Sequence, residues 1–177
     1  MTKYAAFLRG VNVGGVNLKM ADVATALTDA GFADVRTILA TGNVTLDSPG
    51  RADTVRATAE KTLRTRFAYD AWVLVYPVKK LRAIVDDYPF EADAAGYQSY
   101  VTFVSDTGVL DELAALADDA GADERIERGP ASTGVIYWQV RENHTLDSAI
   151  GKTMGKKRYK SSTTTRNLRT LVKVLRD

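Results

Sequence analysis

The fold class is decided by residues 35–47, which read VRTILATGNVTLD. Residues 35–40 and 44–47 are rich in β-branched and aliphatic side chains, a composition typical of strands. Between them lies Thr41-Gly42-Asn43, and glycine and asparagine adopt positive φ at little cost. The stretch therefore predicts a β-hairpin.

The segments on either side of this hairpin each predict one helix and one strand. Residues 3–8 are a short apolar run before Gly10, and residues 72–76 are a second such run before Pro77. Two helices are predicted from apolar residues at helical spacing, which are Met20, Val23, Ala24 and Leu27 in the first and Val55, Ala59, Leu63 and Phe67 in the second. The resulting order, βαββαβ, is that of the ferredoxin-like plan.

The second half of the chain partly repeats this order. It predicts a short helix over residues 81–85, a strand over 97–104, a helix over 110–118, and two strands over 125–128 and 135–140. A last helix follows from Leu168, Leu171, Val172 and Leu175. We therefore predict an α+β fold of two small ferredoxin-like subdomains packed together, residues 1–77 and 78–177, with a basic helix at the end of the second.

Composition excludes several kinds of chemistry. The 177 residues include no cysteine and a single histidine, His144, so thiol nucleophiles, cysteine metal sites and multi-histidine metal sites are excluded. We expect neither a metal nor a cofactor. No apolar run approaches the ~18 residues of a membrane span, so we expect a cytoplasmic protein without membrane contact. The sequence leaves the oligomeric state open.

Charge is distributed unevenly along the chain. Residues 151–177 hold nine Lys or Arg and one Asp, a net charge of +8, whereas residues 1–150 carry a net charge of −6. A basic segment of this kind attracts anions, while the acidic remainder weakens non-specific adhesion to nucleic acid.

A first candidate anion site follows the first strand. Its glycines do not have the spacing of a dinucleotide-binding motif, and a phosphate-binding loop counted from Gly10 would need lysine where the chain has Val16. A less specific anion-binding pattern remains, because glycine-rich loops and helix N-termini direct backbone N–H groups at anions. Its residues are Arg9, Asn12, Gly14, Gly15 and Lys19. The alternative is a structural turn with Arg9 in an ion pair.

A second candidate anion site is residues 160–167, KSSTTTRN, which we place at the start of the last helix. One hydroxyl suffices to cap a helix, and this run offers five. Its candidate residues are Lys160, Thr164, Thr165, Arg166 and Asn167. The alternative is a solvated basic face that complements the acidic part of the chain.

Two further patterns favour structural interpretations. His144 stands close to Asp147 and Ser148, but sequence neighbours rarely have the geometry of a catalytic triad. The third strand, residues 44–47, lacks the aromatic side chains with which RNA-recognition modules stack bases.

Four motifs resemble one bacterial family. They are FLRGVNVGG at residues 7–15, Lys19-Met20, TGNV at residues 41–44 and TTRN at residues 164–167. Together they resemble the family called domain of unknown function 1697 over essentially the whole chain. The resemblance implies two α+β subdomains of ferredoxin-like order and no established activity. Family members often have Asn-Trp where this chain has Asn167-Leu168.

The functional hypothesis is a single anionic pocket for a phosphorylated small molecule or nucleotide. The first loop, the turn with Gly42 and Asn43, and residues 156–167 would converge there, with Arg9 and Arg166 clamping anionic oxygens. The alternative is a non-enzymatic protein that binds nucleic acid or a protein partner through the basic segment. Whether the chain is an enzyme stays open, because no nucleophile, metal set or acid–base pair is identified.

Overall fold

The computed structural model describes residues 1–12 and 16–176 and divides the chain into two compact units. Unit 1 comprises residues 1–82 together with the last residues from Lys173 onward, and unit 2 comprises residues 83–172. Within the described residues, no helix is long and apolar enough to cross a membrane.

Unit 1 has the predicted βαββαβ order. Its elements are β1 (Thr2–Leu8), α1 (Met20–Asp29), β2 (Ala33–Ile38), β3 (Asn43–Ser48), α2 (Ala52–Phe67) and β4 (Val73–Pro77), followed by α3 (Val78–Asp86). Sheet 1 is antiparallel with the strand order β2-β3-β1-β4. This is the ferredoxin-like order, in which β3, after the hairpin turn, and β4, after the second helix, flank β1.

The helices of unit 1 form where the apolar spacing predicts them. The side chains they bury are Val23, Ala26 and Leu27 from α1 and Val55, Ala59 and Leu63 from α2. All of them except Ala26 pack with Leu8, Val44 and Leu46 of the sheet in one apolar cluster. Full burial of a leucine or valine contributes roughly 1.5–3 kcal/mol, so this cluster is the main source of the unit's stability.

Unit 2 repeats the same strand order with a different sequence. Its elements are β5 (Tyr97–Val104), α4 (Thr107–Ala114), a 3₁₀ turn (Ala115–Asp119), β6 (Glu124–Arg128), β7 (Val135–Arg141), α5 (Ala149–Met154), a second 3₁₀ turn (Lys157–Tyr159) and β8 (Thr163–Asn167), followed by α6 (Leu168–Arg176). Sheet 2 has the order β6-β7-β5-β8. Its core includes Leu113, Ile136 and Ile150 and the stacked rings of Tyr100 and Trp138, whose centroids lie 4.4 Å apart.

The prediction that the hydroxyl-rich run opens the last helix is wrong. Residues 163–167 form strand β8, which pairs with β5, and the helix begins at Leu168. Threonine is β-branched and suits a strand, and its hydroxyl finds partners there. Thr165 Oγ1 lies 2.8 Å from Thr102 Oγ1, for example. The sequence interpretation also missed α5.

The outer edge of β4 is occupied by a carboxylate. Val73 N donates a hydrogen bond of 2.9 Å to Glu60 Oε2, so this amide is satisfied by α2 and not by a strand. Arg56 Nε lies 3.3 Å from the same oxygen and fixes its position. Pro77, which has no N–H, ends the strand.

The turn between β2 and β3 contains a glycine with little room for a side chain. Gly42 has φ of +89°, and a Cβ there would lie 3.0 Å from Leu8 Cβ and 3.1 Å from Leu8 O. Gly31 has φ of +104° with open space around it. Substitution of Gly42 therefore brings both backbone strain and a close contact with Leu8, whereas substitution of Gly31 brings strain alone.

We predict that Gly42→Ala lowers the free energy of unfolding by about 1–3 kcal/mol more than Gly31→Ala does. Urea unfolding of the two variants against the parent measures the difference. Equal destabilisation by the two substitutions would show that the close approach of Gly42 to Leu8 adds nothing to the loss of unfolding free energy.

Two tyrosines of the core differ in hydrogen bonding. Among the described residues, Tyr69 Oη is buried without a hydrogen-bond partner, while Tyr137 Oη donates to Ile84 O at 2.6 Å. Burial raises the pKa of Tyr69 from its ordinary value of 10 to about 12. The folded protein thus favours the neutral phenol of Tyr69.

We predict that Tyr69→Phe leaves stability at pH 7 unchanged or raises it by up to about 1 kcal/mol, whereas Tyr137→Phe lowers it by about 0.5–1.5 kcal/mol. The raised pKa of Tyr69 contributes to the free energy of unfolding. This contribution is complete below pH 10 and is lost as pH rises toward 12. Tyr69→Phe should therefore flatten the loss of stability between pH 10 and 12. Urea unfolding at pH 7, 10 and 11 checks both points, and a costly Tyr69→Phe at pH 7 would contradict them.

Candidate functional site

Three loops meet at the end of sheet 1 where β1 finishes. Leu8 N donates to Gly42 O at 2.8 Å, which joins the end of β1 to the turn between β2 and β3. The next amide, Arg9 N, donates to Trp72 O at 2.9 Å, which joins it to the segment before β4. The loop after β1 and the turn with Gly42 and Asn43, which the functional hypothesis requires to be close, are therefore adjacent.

Asn12 ties the loop after β1 to both of its neighbours. Its Nδ2 donates to Leu18 O at 2.9 Å and to Ala40 O at 2.6 Å, and its Oδ1 accepts from Leu18 N at 2.9 Å. The backbone of Asn12 is left-handed, with φ of 56°, a conformation that asparagine tolerates better than most residues. This amide side chain therefore shapes the loop. Gly14 and Gly15 lie outside the described residues.

Asn43 is also committed to local structure. It is fully buried, and its Nδ2 donates to Ile38 O and to Thr41 Oγ1, each at 3.0 Å. These bonds hold the turn between β2 and β3. That Asn43 orients a ligand stays a prediction.

The two cations of this loop have different surroundings. Arg9 is half-buried, and burial lowers the pKa of its guanidinium below the ordinary value. Lys19 is exposed and occupies the N-cap position of α1, where its side chain makes no capping hydrogen bond. The amides of the first turn of α1 and a lysine charge thus lie together, an arrangement that favours an anion.

The C-terminal candidates belong to unit 2, where most of them take part in strand β8. Arg166 is 8% exposed, and its Nη1 donates to Thr164 Oγ1 at 2.7 Å and to Thr165 O at 3.0 Å. Asn167 Oδ1 accepts from Arg169 N, and its Nδ2 donates to Gln98 Oε1. Convergence of these residues with the loop of unit 1 on a single pocket stays a prediction.

The basic segment is anchored within unit 2. Tyr159 is 2% exposed and donates from Oη to Glu112 Oε2 at 2.8 Å, and Arg158 pairs with the same carboxylate. Lys156, Lys157 and Lys160 are exposed. The charge that this segment offers to a partner therefore comes from lysines more than from arginines.

His144 lies beside a small cavity of unit 2. The cavity measures about 190 Å³ and is lined by residues 121–124 together with Val140, His144, Asp147 and Ser148. Ser148 Oγ donates to Thr145 O and accepts from Gly151 N, so it caps α5. The described residues contain no group of three or more His, Asp or Glu side chains placed to hold a metal ion.

Comparison with protein families decides the identity of the chain. A family profile described as "Protein of unknown function (DUF1697)" matches residues 1–133. The chain belongs to this family. The DUF1697 match includes the loop after β1 and the turn with Gly42 and Asn43, whereas residues 160–167 lie beyond it.

A solved structure supports the fold over nearly the whole chain. The conserved bacterial protein SP0830 from Streptococcus pneumoniae is similar with a TM-score of 0.79 and 21% sequence identity, over 99% of this chain and 97% of that one. At this identity the likeness establishes the fold alone. None of the curated proteins compared with the chain matches it.

Sequence reasoning missed the contacts that tie the loop after β1 to the β2–β3 turn and to the segment before β4. Nothing in the sequence indicates that Asn12 reaches Ala40, because the contact joins residues 28 positions apart. The left-handed backbone of Leu39 also has no sequence signal, since leucine is rarely found there. The pairing of Trp72 O with Arg9 N depends on the tertiary fold in the same way.

The N-cap position of α1 generates a stability prediction. A lysine there accepts no hydrogen bond from the first-turn amides, and its charge opposes the helix dipole. We predict that Lys19→Ser raises the free energy of unfolding by about 0.5–2 kcal/mol, measured by urea unfolding. Arg51→Ser is the matched control, because Arg51 holds the same position in α2 and also makes no cap bond. A loss of stability in Lys19→Ser alone would contradict the prediction.

Proposed function

We propose that the end of sheet 1 formed by residues 9–12 and 16–19, the β2–β3 turn and the start of α1 binds the phosphate group of a phosphorylated small molecule. We call this surface the β1 end. The proposal is carried by one observation, that Arg9, Lys19 and the N-terminus of α1 belong to one short loop fastened at both sides.

Charge supports a phosphate as the ligand. The N-terminus of a helix carries about half a positive charge and Lys19 adds a full one at the same position, while Asp22 in the first turn offsets part of this charge. A lysine here costs stability in the absence of an anion, and a bound phosphate would remove that cost. Phosphate also has enough oxygens to accept from backbone amides and from a guanidinium at once.

The burial of Arg9 supports the same ligand. Desolvation lowers the pKa of its guanidinium, which shows that this cation has given up part of its hydration. Electrostatic attraction is stronger where water is partly excluded. An anion in contact with Arg9 therefore gains more than it would beside a fully exposed arginine.

Preorganisation supports a binding role for the loop. Asn12 holds both Leu18 and Ala40, and the backbone of Arg9 is bonded to Trp72. Residues such as Arg9 and Asn12 that are fixed before binding lose little conformational freedom when a ligand arrives. Our proposal assigns binding to this loop and no reaction, and a role for Arg166 in the same pocket stays a prediction.

Arg9→Ala tests the proposal, with Arg51→Ala as the matched control. Arg51 precedes α2 and therefore lies at the opposite end of sheet 1, because β3 runs antiparallel to β1. Binding of inorganic phosphate, pyrophosphate and nucleotides is measured by thermal shift and by titration. A ligand at 100 times its Kd stabilises by about 2.7 kcal/mol. We expect Arg9→Ala to weaken binding about tenfold or more and Arg51→Ala to leave it unchanged.

Two outcomes would contradict the proposal. One is the absence of any stabilisation by phosphate compounds, and the other is equal loss of binding in the two variants. The same screen includes short oligonucleotides at low and high salt. Binding to oligonucleotides alone, falling steeply with salt, would favour the alternative in which the exposed lysines of residues 156–160 contact nucleic acid.

A further inference from the structure

Leu39 has a backbone conformation that leucine rarely adopts. Its φ is +61°, and 47% of its surface is exposed. A bulky residue in this region is an outlier, and glycine or asparagine would take the same turn position at lower cost. The geometry of the turn therefore gives no reason for a leucine here.

The position of Leu39 relative to the β1 end is fixed. Its neighbour Ala40 accepts a 2.6 Å hydrogen bond from Asn12 Nδ2, and Gly42 O accepts from Leu8 N. Consecutive Cα atoms are about 3.8 Å apart, so Leu39 is held next to the loop that carries Arg9 and Asn12. An exposed leucine thus belongs to the turn that is bonded to the loop carrying Arg9 and Asn12.

We propose that Leu39 contacts the organic group of the ligand, and that the β1 end takes phosphate monoesters with an apolar or aromatic group in preference to free phosphate. This inference rests on the proposed function. The phosphate would be held by Arg9, Lys19 and the first turn of α1, and Leu39 would cover the carbon skeleton attached to it. Burial of the exposed half of a leucine increases affinity about three- to tenfold.

Phenyl phosphate and inorganic phosphate are suitable probes, because they share the phosphate and differ in the ring. Their affinities for the full chain are compared by NMR titration. Leu39→Asn removes the apolar group and keeps a residue that tolerates positive φ, so it should fold at least as well as the parent. Leu146→Asn is the matched control, because Leu146 is an exposed leucine of unit 2.

We expect the parent chain to bind phenyl phosphate about three- to tenfold more tightly than inorganic phosphate. Leu39→Asn should abolish this preference and leave the affinity for inorganic phosphate unchanged, and Leu146→Asn should change neither. Phosphate binding without a preference for the ring, or a preference that survives in Leu39→Asn, overturns this inference alone. Failure of both probes to bind overturns the proposed function together with it.

Discussion

The contact between Leu8 and Gly42 is the constraint on which the rest of the β1 end depends. Gly42 suits this close approach because it takes a positive φ without strain, and a Cβ there would come within 3.0 Å of Leu8. Once the turn lies against β1, Ala40 is within reach of Asn12, and Asn12 in turn fixes Leu18 just before α1 begins. A single close approach of two backbones therefore determines where the first helix starts.

Unit 1 could be predicted from the sequence because its signals are local and agree with one another. The apolar spacing of Val55, Ala59 and Leu63 marks a helix, and the three side chains are buried as expected. The hairpin follows from the residues that can occupy its turn. Local signals of this kind are sufficient to give the ferredoxin-like strand order, since few topologies accommodate βαββαβ.

The sequence interpretation failed in the second half where a local signal allows two structures. Threonine hydroxyls cap helices and also suit strands, and the pairing of Thr165 with Thr102 depends on a strand more than 60 residues away. The short helix α5 has only six residues, too few to show helical periodicity. The contacts of the candidate residues could not be predicted, because Asn12 and Asn43 use much of their hydrogen-bonding capacity on the fold.

Formal charge is also a poor guide to available charge in unit 2. Arg158 is paired with Glu112, and Arg166 is buried with its guanidinium bonded to Thr164 and to the backbone. The net charge of +8 near the C-terminus thus includes cations that already have partners within the protein. Residue counts overestimate what a ligand or partner meets at the surface.

The carboxylate of Glu60 at the edge of β4 has a consequence for the behaviour of the protein at high concentration. An open strand edge is a template on which a strand from another molecule can add. Glu60 occupies the first donor of this edge at Val73, and Pro77 removes the donor at its other end. A second molecule therefore meets an edge whose donors at both ends are unavailable, which disfavours growth of an intermolecular β-sheet along β4.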